Sequence, residues 1–397
     1  MIAIDGLFWV VALLWATAAG NLLFWVRRLQ SLPGLDPQIQ EQRPSVTIIV
    51  AARDEALRVQ ETVRTQLNQK FVDVKVVVVD DRSSDGTSAI LAEWVRTNPE
   101  LNVKRVDVLP AGWLGKTNAM QLGSADTTTE WLLFTDADCW LRDDVVARAI
   151  ATAEREKADH VCLLPTFAQR ALDRSFLTQS CHLAFATLFG EQLARVSADM
   201  PRGFCGVGAF NLVRTKAYHK FGGHEQLRLE VVDDPMLGVL IRRGGGRSRG
   251  FLASRDIECD WSYSVWGFVT ILEKNYFAMF GYRTFLVHIL CTLLLLLLLC
   301  GITGPLTLTP AGIACGIAYW AMSLPSLIVA RKMGWPMLPA IFAPLAFFVM
   351  LLALVNSMWR TLLQGGIRWR DTFYTLAELR SSELKWGPTE KFTTTIK

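Results

Sequence analysis

An α/β domain with a mainly parallel sheet, flanked in the chain by membrane-spanning helices, is the fold class the sequence predicts. Three observations predict it. Short β-branched strands alternate with helix-like stretches between residues 45 and 260, long charge-free runs lie on both sides of that region, and two of the strands stop at acidic residues.

At the N-terminal side, Gly6 to Val26 is charge-free between Asp5 and Arg27, long enough to cross a hydrocarbon core of ~30 Å as a helix rising ~1.5 Å per residue. A cleaved signal is the other reading of such a run. Here Arg27 and Arg28 follow the apolar stretch instead of preceding it, and no small-residue cleavage site ends it, so residues 1–28 are expected to be a retained anchor. Residues 29–44, largely polar with Pro33, Pro37 and Pro44, read as a linker.

The α/β domain is expected over residues 45–260. Val46 to Val50 and Val74 to Val79 are buried-strand sequences, the second ending at Asp80-Asp81, with helix-like Glu55 to Gln69 between them. Ser84-Asp-Gly-Thr87 caps a helix through Arg96. Val103 to Val108 is a third strand, Lys116 to Gly123 starts a helix, and Trp131 to Thr135 is a fourth strand that stops at Asp136-Ala-Asp138. Sheets of this alternating kind take their ligands at the carboxyl ends of the strands, where these acids stand.

Beyond the domain, residues 261–282 carry Trp261, Tyr263, Trp266, Phe268, Tyr276 and Phe277 around Glu273-Lys-Asn275 and predict an amphipathic helix in the membrane interface. Residues 283–359 hold two to three spans: Thr284 to Ala330 has no charged residue and breaks at Gly304-Pro305 and Pro310, and Met333 to Trp359 is a third candidate. Pro336, Pro339 and Pro344 make the first half of that third run a poor helix and leave room for a re-entrant or interfacial segment. Arg27, Arg28, Arg283, Arg331 and Lys332 place the α/β domain in the cytoplasm, as a multi-pass protein of the cytoplasmic membrane. Three full crossings after the domain would send Arg360, Arg368 and Arg370 of the basic tail, residues 360–397, outside against the same rule, so either one run does not cross or the count differs.

A net charge of +4 over 397 residues, with no basic run interleaved with aromatics, excludes nucleic acid as a partner, and eight cysteines without CxxC pairs indicate neither a zinc site nor a disulfide framework. The acids carry the chemistry. Asp136 and Asp138, one residue apart at a strand end, suit Mg²⁺ or Mn²⁺ bridging to a diphosphate. Asp80-Asp81 can accept from a base or ribose, and the helix capped at Ser84 to Thr87 presents its N-terminus to phosphate. Asp233-Asp234, after Val231-Val232, supplies a general-base candidate. Each pattern alone is also an ordinary strand end or helix cap. His224 after Gly222-Gly223 is either a turn histidine or an acceptor contact, and Arg242, Arg243, Arg247 and Arg249 lie in a glycine-rich loop that either touches phosphate or is simply solvated.

Taken together, Asp80-Asp81 with Ser84-Asp-Gly-Thr87, Gly115-Lys116 with Asn118-Ala119, Asp136-Ala-Asp138, Gly206 to Phe210, Gly222-Gly223-His224 and Asp233-Asp234 with Leu237-Gly238 resemble, in order, the family 2 glycosyltransferases of GT-A (Rossmann-like) fold. Leu109 to Asn118 and the flanking spans resemble the bacterial membrane subgroup that glycosylates carotenoids, hopanoids and ceramide-like lipids. The resemblance implies a nucleotide-sugar donor, UDP-sugar foremost, a lipid acceptor and a divalent metal. It places Asp80, Asp81, Glu55, Lys116 and Asp136 on the donor, Asp138 with Asp136 on the metal, and Asp234, beside Asp233, as the base in a single inverting displacement. Arg53-Asp54-Glu55 departs from the family's usual Asn-Glu. Gln364-Gly-Gly-Ile-Arg368-Trp369 has one residue more than the QxxRW motif of ceramide glucosyltransferases and polysaccharide synthases, leaving Gln364, Arg368 and Trp369 as candidate acceptor or diphosphate contacts or as a basic-aromatic membrane anchor. A processive polysaccharide synthase and a non-catalytic nucleotide-binding scaffold are the alternative functions.

Overall fold

In the computed structural model, which describes residues 2–167, 175–201 and 203–381, the chain divides into two compact units. An α/β unit gathers Gln30–Ala168 and Arg195–Trp261, and a helical unit gathers Met1–Leu29, Gln169–Ala194 and Ser262–Arg380.

The α/β unit is built on one eight-stranded sheet. In chain order its strands are β1 (Ser45–Ala52), β2 (Asp73–Asp81), β3 (Leu101–Val106), β4 (Trp131–Asp136), β5 (Cys139–Leu141), β6 (His160–Phe167), β7 (Asn211–Arg214) and β8 (Ser248–Cys259). They lie side by side as β3-β2-β1-β4-β7-β6-β8-β5. The contiguous block from β3 to β4 is parallel, β6 and β8 are parallel, and β7 and β5 run against their neighbours. Val46, Ile48, Val50, Val76 and Val78 pack into the main core on one face, while Val77 and Val79 meet Ala119 on the other, which is why β2 reads as an unbroken valine run. Parallel register then does the positioning. Ala52 pairs with Asp80 and Ala51 with Asp136, so both acidic strand ends fall on the same edge of the sheet.

Residues 29–44 are not a free tether. Leu32 donates its N–H to Leu252, Gln30 accepts from Leu252, and Leu32 and Ile39 join the core. The carbonyls of Leu32 and Pro33 accept from Arg148, whose guanidinium also grips Asp256 at 2.6 Å. Polar composition concealed this, because the contacts are made by backbone and by two apolar side chains.

The helical unit holds four helices long and apolar enough to cross a membrane: Ile4–Arg28, Thr284–Thr307, Pro310–Met333 and Ala343–Gln364. Trp15 joins three of them, donating to the Leu297 carbonyl at 3.1 Å and meeting Tyr319 edge-on at 5.3 Å. Between Thr284–Thr303 and Pro310–Trp320 the approach is closed by glycines: a Cβ on Gly312 would overlap the Gly304 carbonyl, and one on Gly316 would overlap Pro305.

Two boundaries differ from the sequence reading. Residues 175–194, expected inside the 45–260 domain, belong to the helical unit, because the apolar residues of the helix Phe176–Ser197 are spread around its circumference and need neighbours on several sides to bury them. The single interfacial helix expected over 261–282 is two short ones, Val265–Leu272 and Tyr276–Met279. The break falls at Glu273-Lys274-Asn275, where the Glu273 carbonyl accepts from Ser357 and its carboxylate from Asn356. Of the tail, residues 382–397 lie outside the described residues.

Arg148→Met should leave buried Asp256 with only the more distant Arg142, at 3.9 Å, and release the Leu32–Pro33 carbonyls, destabilising the α/β unit by about 3–5 kcal/mol. Unfolding of the detergent-solubilised protein against denaturant measures this, and a change under about 1 kcal/mol would mean that water already reaches the pair.

Candidate active site

Four chain segments meet at the acidic edge of the sheet, and one side chain holds them. Lys116, in the first turn of the helix Gly115–Ser124, places its Nζ 2.8 Å from Asp136, 3.5 Å from Asp233 and 4.0 Å from Asp234. Burial alone would lower its pKa, but the three carboxylates outweigh that and hold it well above the ordinary lysine value. The ammonium therefore stays charged. Asp233 and Asp234 open the helix Asp233–Arg243, so its N-terminal backbone dipole adds to the positive field on the same carboxylates.

The loop before β7 fits between these parts. Gly208 donates its N–H to Asp234 at 2.9 Å and accepts from the Asp136 N–H at 2.9 Å, tying the end of β4 to the helix that carries Asp234. A Cβ on Gly208 would overlap the Asp136 carboxylate, and one on Gly206 would overlap the Asp234 backbone. Asp233 is buried, while the Asp234 side chain is 30% exposed, so Asp234 is the member of the pair open to a second reactant.

On the β2 side, Asp80 is buried and accepts from the Ser83 N–H and the Ser88 hydroxyl. Asp81 is held by Arg82 at 2.7 Å and faces Arg53 at 3.8 Å. Asp54, at φ 55°, accepts from the Ser84 N–H and hydroxyl, which keep its carboxyl below the usual range. The departure from the family's Asn-Glu thus has a local function: an acid at position 54 pins the loop after β2. Glu55 in turn donates its N–H to Thr87 and meets Arg58 at 3.4 Å.

Asp138 lies past the end of β4. Burial, then the charges of Asp136 and Glu55, push its carboxyl up to about 7, against smaller opposing effects of Cys139 and Arg58. Arg58, which sequence reading missed, also bonds Asp260 at 2.9 Å. Its signal was weak because it sat inside a helix-like stretch and its partner is some two hundred residues away. Among the described residues no three His, Cys, Asp or Glu side chains converge with the spacing of an all-protein metal cage. Mg²⁺ and Mn²⁺ do not need one, since they take one or two carboxylates and fill the rest with water and phosphate oxygens. Asp138 and Asp136, mutually repelling at a partly open strand end, fit that demand.

His224 does not suit an acceptor contact. It is buried, its ring lies 4.6 Å from Phe134, and its Nδ1 pairs with the Tyr218 hydroxyl at 2.9 Å. Burial, then Lys116, push its pKa down to about 3, so it is neutral and structural. The arginines expected in a glycine-rich loop are not all in one, since Arg242 and Arg243 end the helix Asp233–Arg243 and Arg249 lies in β8; Arg242 binds the carbonyls of Met200 and Gly203, and Arg247 and Arg249 bind Asp199. Gln364, Arg368 and Trp369 lie in the helical unit, where Lys274 stands 3.7 Å over the Trp369 ring.

A mainly parallel sheet with acids on a shared lysine at the carboxyl ends of its strands defines a GT-A type domain. Residues 47–222 match the family model Glycosyl transferase family 2. It is similar to beta-monoglucosyldiacylglycerol synthase of Trichormus variabilis (30% identity over 126 residues, 31% of this chain and 26% of that protein). It is also similar to 4,4'-diaponeurosporenoate glycosyltransferase of Staphylococcus haemolyticus (31% over 110 residues, 28% of each). The match thus spans about a quarter of the length of these relatives. In fold it is similar to the mannosyltransferase PcManGT from Pyrobaculum calidifontis in complex with GDP-Man and Mn2+, with a TM-score of 0.52, 18% identity, and 90% of this chain and 99% of that one covered.

Because His224 takes no proton in the fold until about pH 3 but does so near 6.5 when unfolded, the unfolded state binds more protons between those values. Stability should therefore fall as pH drops through that window. His224→Asn should remove this part of the slope, which unfolding midpoints of both proteins from pH 7 to 4 would reveal as converging curves; parallel curves would contradict the assignment.

Proposed function

We propose that the protein transfers a sugar from a nucleotide-sugar donor, UDP-sugar foremost, to the hydroxyl of a membrane lipid, inverting the anomeric centre. The observation that carries this reading is the convergence of Asp136, Asp233 and Asp234 on Lys116, which groups donor-side and acceptor-side acids around one cation. The family match, the lipid-glycosylating names of both relatives and the four apolar helices support it. The Arg and Lys residues beside those helices support a place in the cytoplasmic membrane with the α/β unit inside.

Each residue then has a task. Asp80, buried and bonded to Ser83 and Ser88, would hold the loop that faces the base or ribose, with Asp81 and Glu55 shaping the loops beside it. Asp138 and Asp136 would hold a divalent cation, Mg²⁺ or Mn²⁺, which when bound would supply charge neutralisation to the diphosphate. Lys116 adds a fixed positive charge where the leaving diphosphate gains negative charge, and does so without reorganising. Asp234, kept in place by the Gly208 N–H on Oδ2, takes the acceptor's proton on its other oxygen as the acceptor oxygen bonds the anomeric carbon and the bond to the diphosphate oxygen breaks. In the helical unit, half-exposed Tyr263 and Trp266 suit the interfacial belt where a lipid headgroup lies.

Asp234→Asn should bind donor as the parent does and lose about 10²- to 10⁴-fold in transfer rate, since the amide is nearly isosteric but takes no proton. Donor titration alongside radiolabelled-sugar transfer tests both halves, and an unchanged rate would remove Asp234 from its role. Asp138→Ala should abolish the metal dependence of nucleoside diphosphate binding while insertion into membranes is retained. Parent-like, EDTA-sensitive binding by the variant would refute the metal assignment.

A further inference from the structure

We infer that Pro336–Gln364 is a re-entrant segment: it enters the membrane and leaves it on the same side, so the chain crosses three times and not four. The argument lies wholly inside the helical unit. One end of that unit is fixed by Lys332, whose ammonium donates to the carbonyls of Val26, Arg27 and Leu29, the C-terminal carbonyls of the first span. Leu29 and Met333 therefore stand at one end. Measured from there at ~1.5 Å per residue, Trp15 and Tyr319 each lie about 21 Å in, and their rings meet. Leu297, about 20 Å along its own helix from Thr284, accepts from Trp15 at that level, and Gly304 at the helix's far end lies beside Phe8 near the start of the first span, which puts Thr284 at the Leu29 end as well.

A full crossing by residues 337–364 would have to begin at the Met333 end. It begins deep in the bundle instead. The carbonyl of Pro344 accepts from the Tyr319 hydroxyl at 2.9 Å, Phe342 packs against Trp320, and Phe347 stacks on Trp15 at 6.5 Å. From that depth the helix Ala343–Gln364 runs back. Ser357 bonds the Glu273 carbonyl and accepts from the Phe277 N–H, Asn356 bonds the Glu273 carboxylate at 2.9 Å, and these partners immediately precede Thr284. Fourteen residues from Ala343 to Ser357 span about 21 Å, the same depth as Tyr319, so the two measures agree. Further out, Arg380 donates to the Tyr282 carbonyl at 3.0 Å.

The break between the short helix Met337–Ile341 and the helix Ala343–Gln364 leaves helix-end polar groups at such depth, and these must be satisfied by protein. The turn is built for that. Pro336, Pro339 and Pro344 have no N–H to leave unpaired, and the carbonyls of Pro339, Ile341 and Pro344 accept from the hydroxyls of Ser180, Ser323 and Tyr319. Ala340, Ala343 and Ala346 are buried, small enough for the turn to lie directly on its neighbours. Charge agrees. Arg360, Arg368 and Arg370 come out at the end that carries Arg27, Arg28, Arg283 and Arg331, and the apolar runs 6–26 and 284–330 leave the other end without a basic residue. The hairpin of β9 (Gly366–Trp369) and β10 (Thr372–Thr375), with Gln364 at its base, is thereby placed on the side from which the chain leaves the first span into the α/β unit.

Single cysteines read by a membrane-impermeant maleimide in sealed right-side-out and inverted vesicles test this, with labelling of the parent chain subtracted. Glu41→Cys, in the segment after the first span, and Leu308→Cys, between the second and third, mark the two sides. Ala377→Cys and Asp371→Cys should both react from the side of Glu41→Cys and stay unlabelled from the side of Leu308→Cys. Reaction of either with the Leu308→Cys side would overturn the inference, as would labelling of the two markers from one side.

Discussion

The ammonium of Lys116 is the constraint on which the α/β unit's functional edge depends. Three carboxylates from β4 and from the start of the helix Asp233–Arg243 crowd into one place, and without a positive charge among them that arrangement would be opposed by both repulsion and desolvation. Gly208 is the geometric partner of that charge. Its backbone joins the Asp136 and Asp234 segments at a distance no side chain would permit. A cation and a bare backbone together therefore set how far Asp136 lies from Asp234, a distance that the proposed displacement between two substrates would require to be fixed.

A different constraint governs the helical unit, where the backbone has no water to bond. Lys332 takes up the terminal carbonyls of the first span, and three hydroxyls take up those of the proline-rich turn. In both units, then, the irregular backbone is the informative part. Where a strand or helix ends, a specific polar side chain decides what the end can do.

Much of this was legible in the sequence. Period and composition located β1, β2 and β4 to within a residue or two, because parallel strands buried on both faces read as valine and isoleucine runs, and acids at their ends mark the ligand edge. Lys116, Asp136, Asp138 and Asp234 were candidates from motif order alone. The hidden parts are non-local. Nothing near Arg58 announces Asp260, and nothing near Lys332 announces the end of a helix three hundred residues earlier. His224 was ambiguous in sequence because a turn histidine and a site histidine have the same neighbours; only burial against Phe134 and Tyr218 distinguishes them. The prolines at 336, 339 and 344 signalled an irregular segment, but the depth at which it turns depends on hydroxyls from two other helices.

The central claim is that the cluster around Lys116 is the site of a nucleoside diphosphate bearing a sugar. Calorimetric titration of uridine diphosphate with Mg²⁺ into the full-length protein and into Lys116→Met tests it most directly. The account predicts saturable binding to the parent that weakens at least ~10-fold in the variant, since a charge-assisted contact to phosphate in a partly buried site contributes upward of about 1.5 kcal/mol. Equal affinity in a folded variant would contradict it.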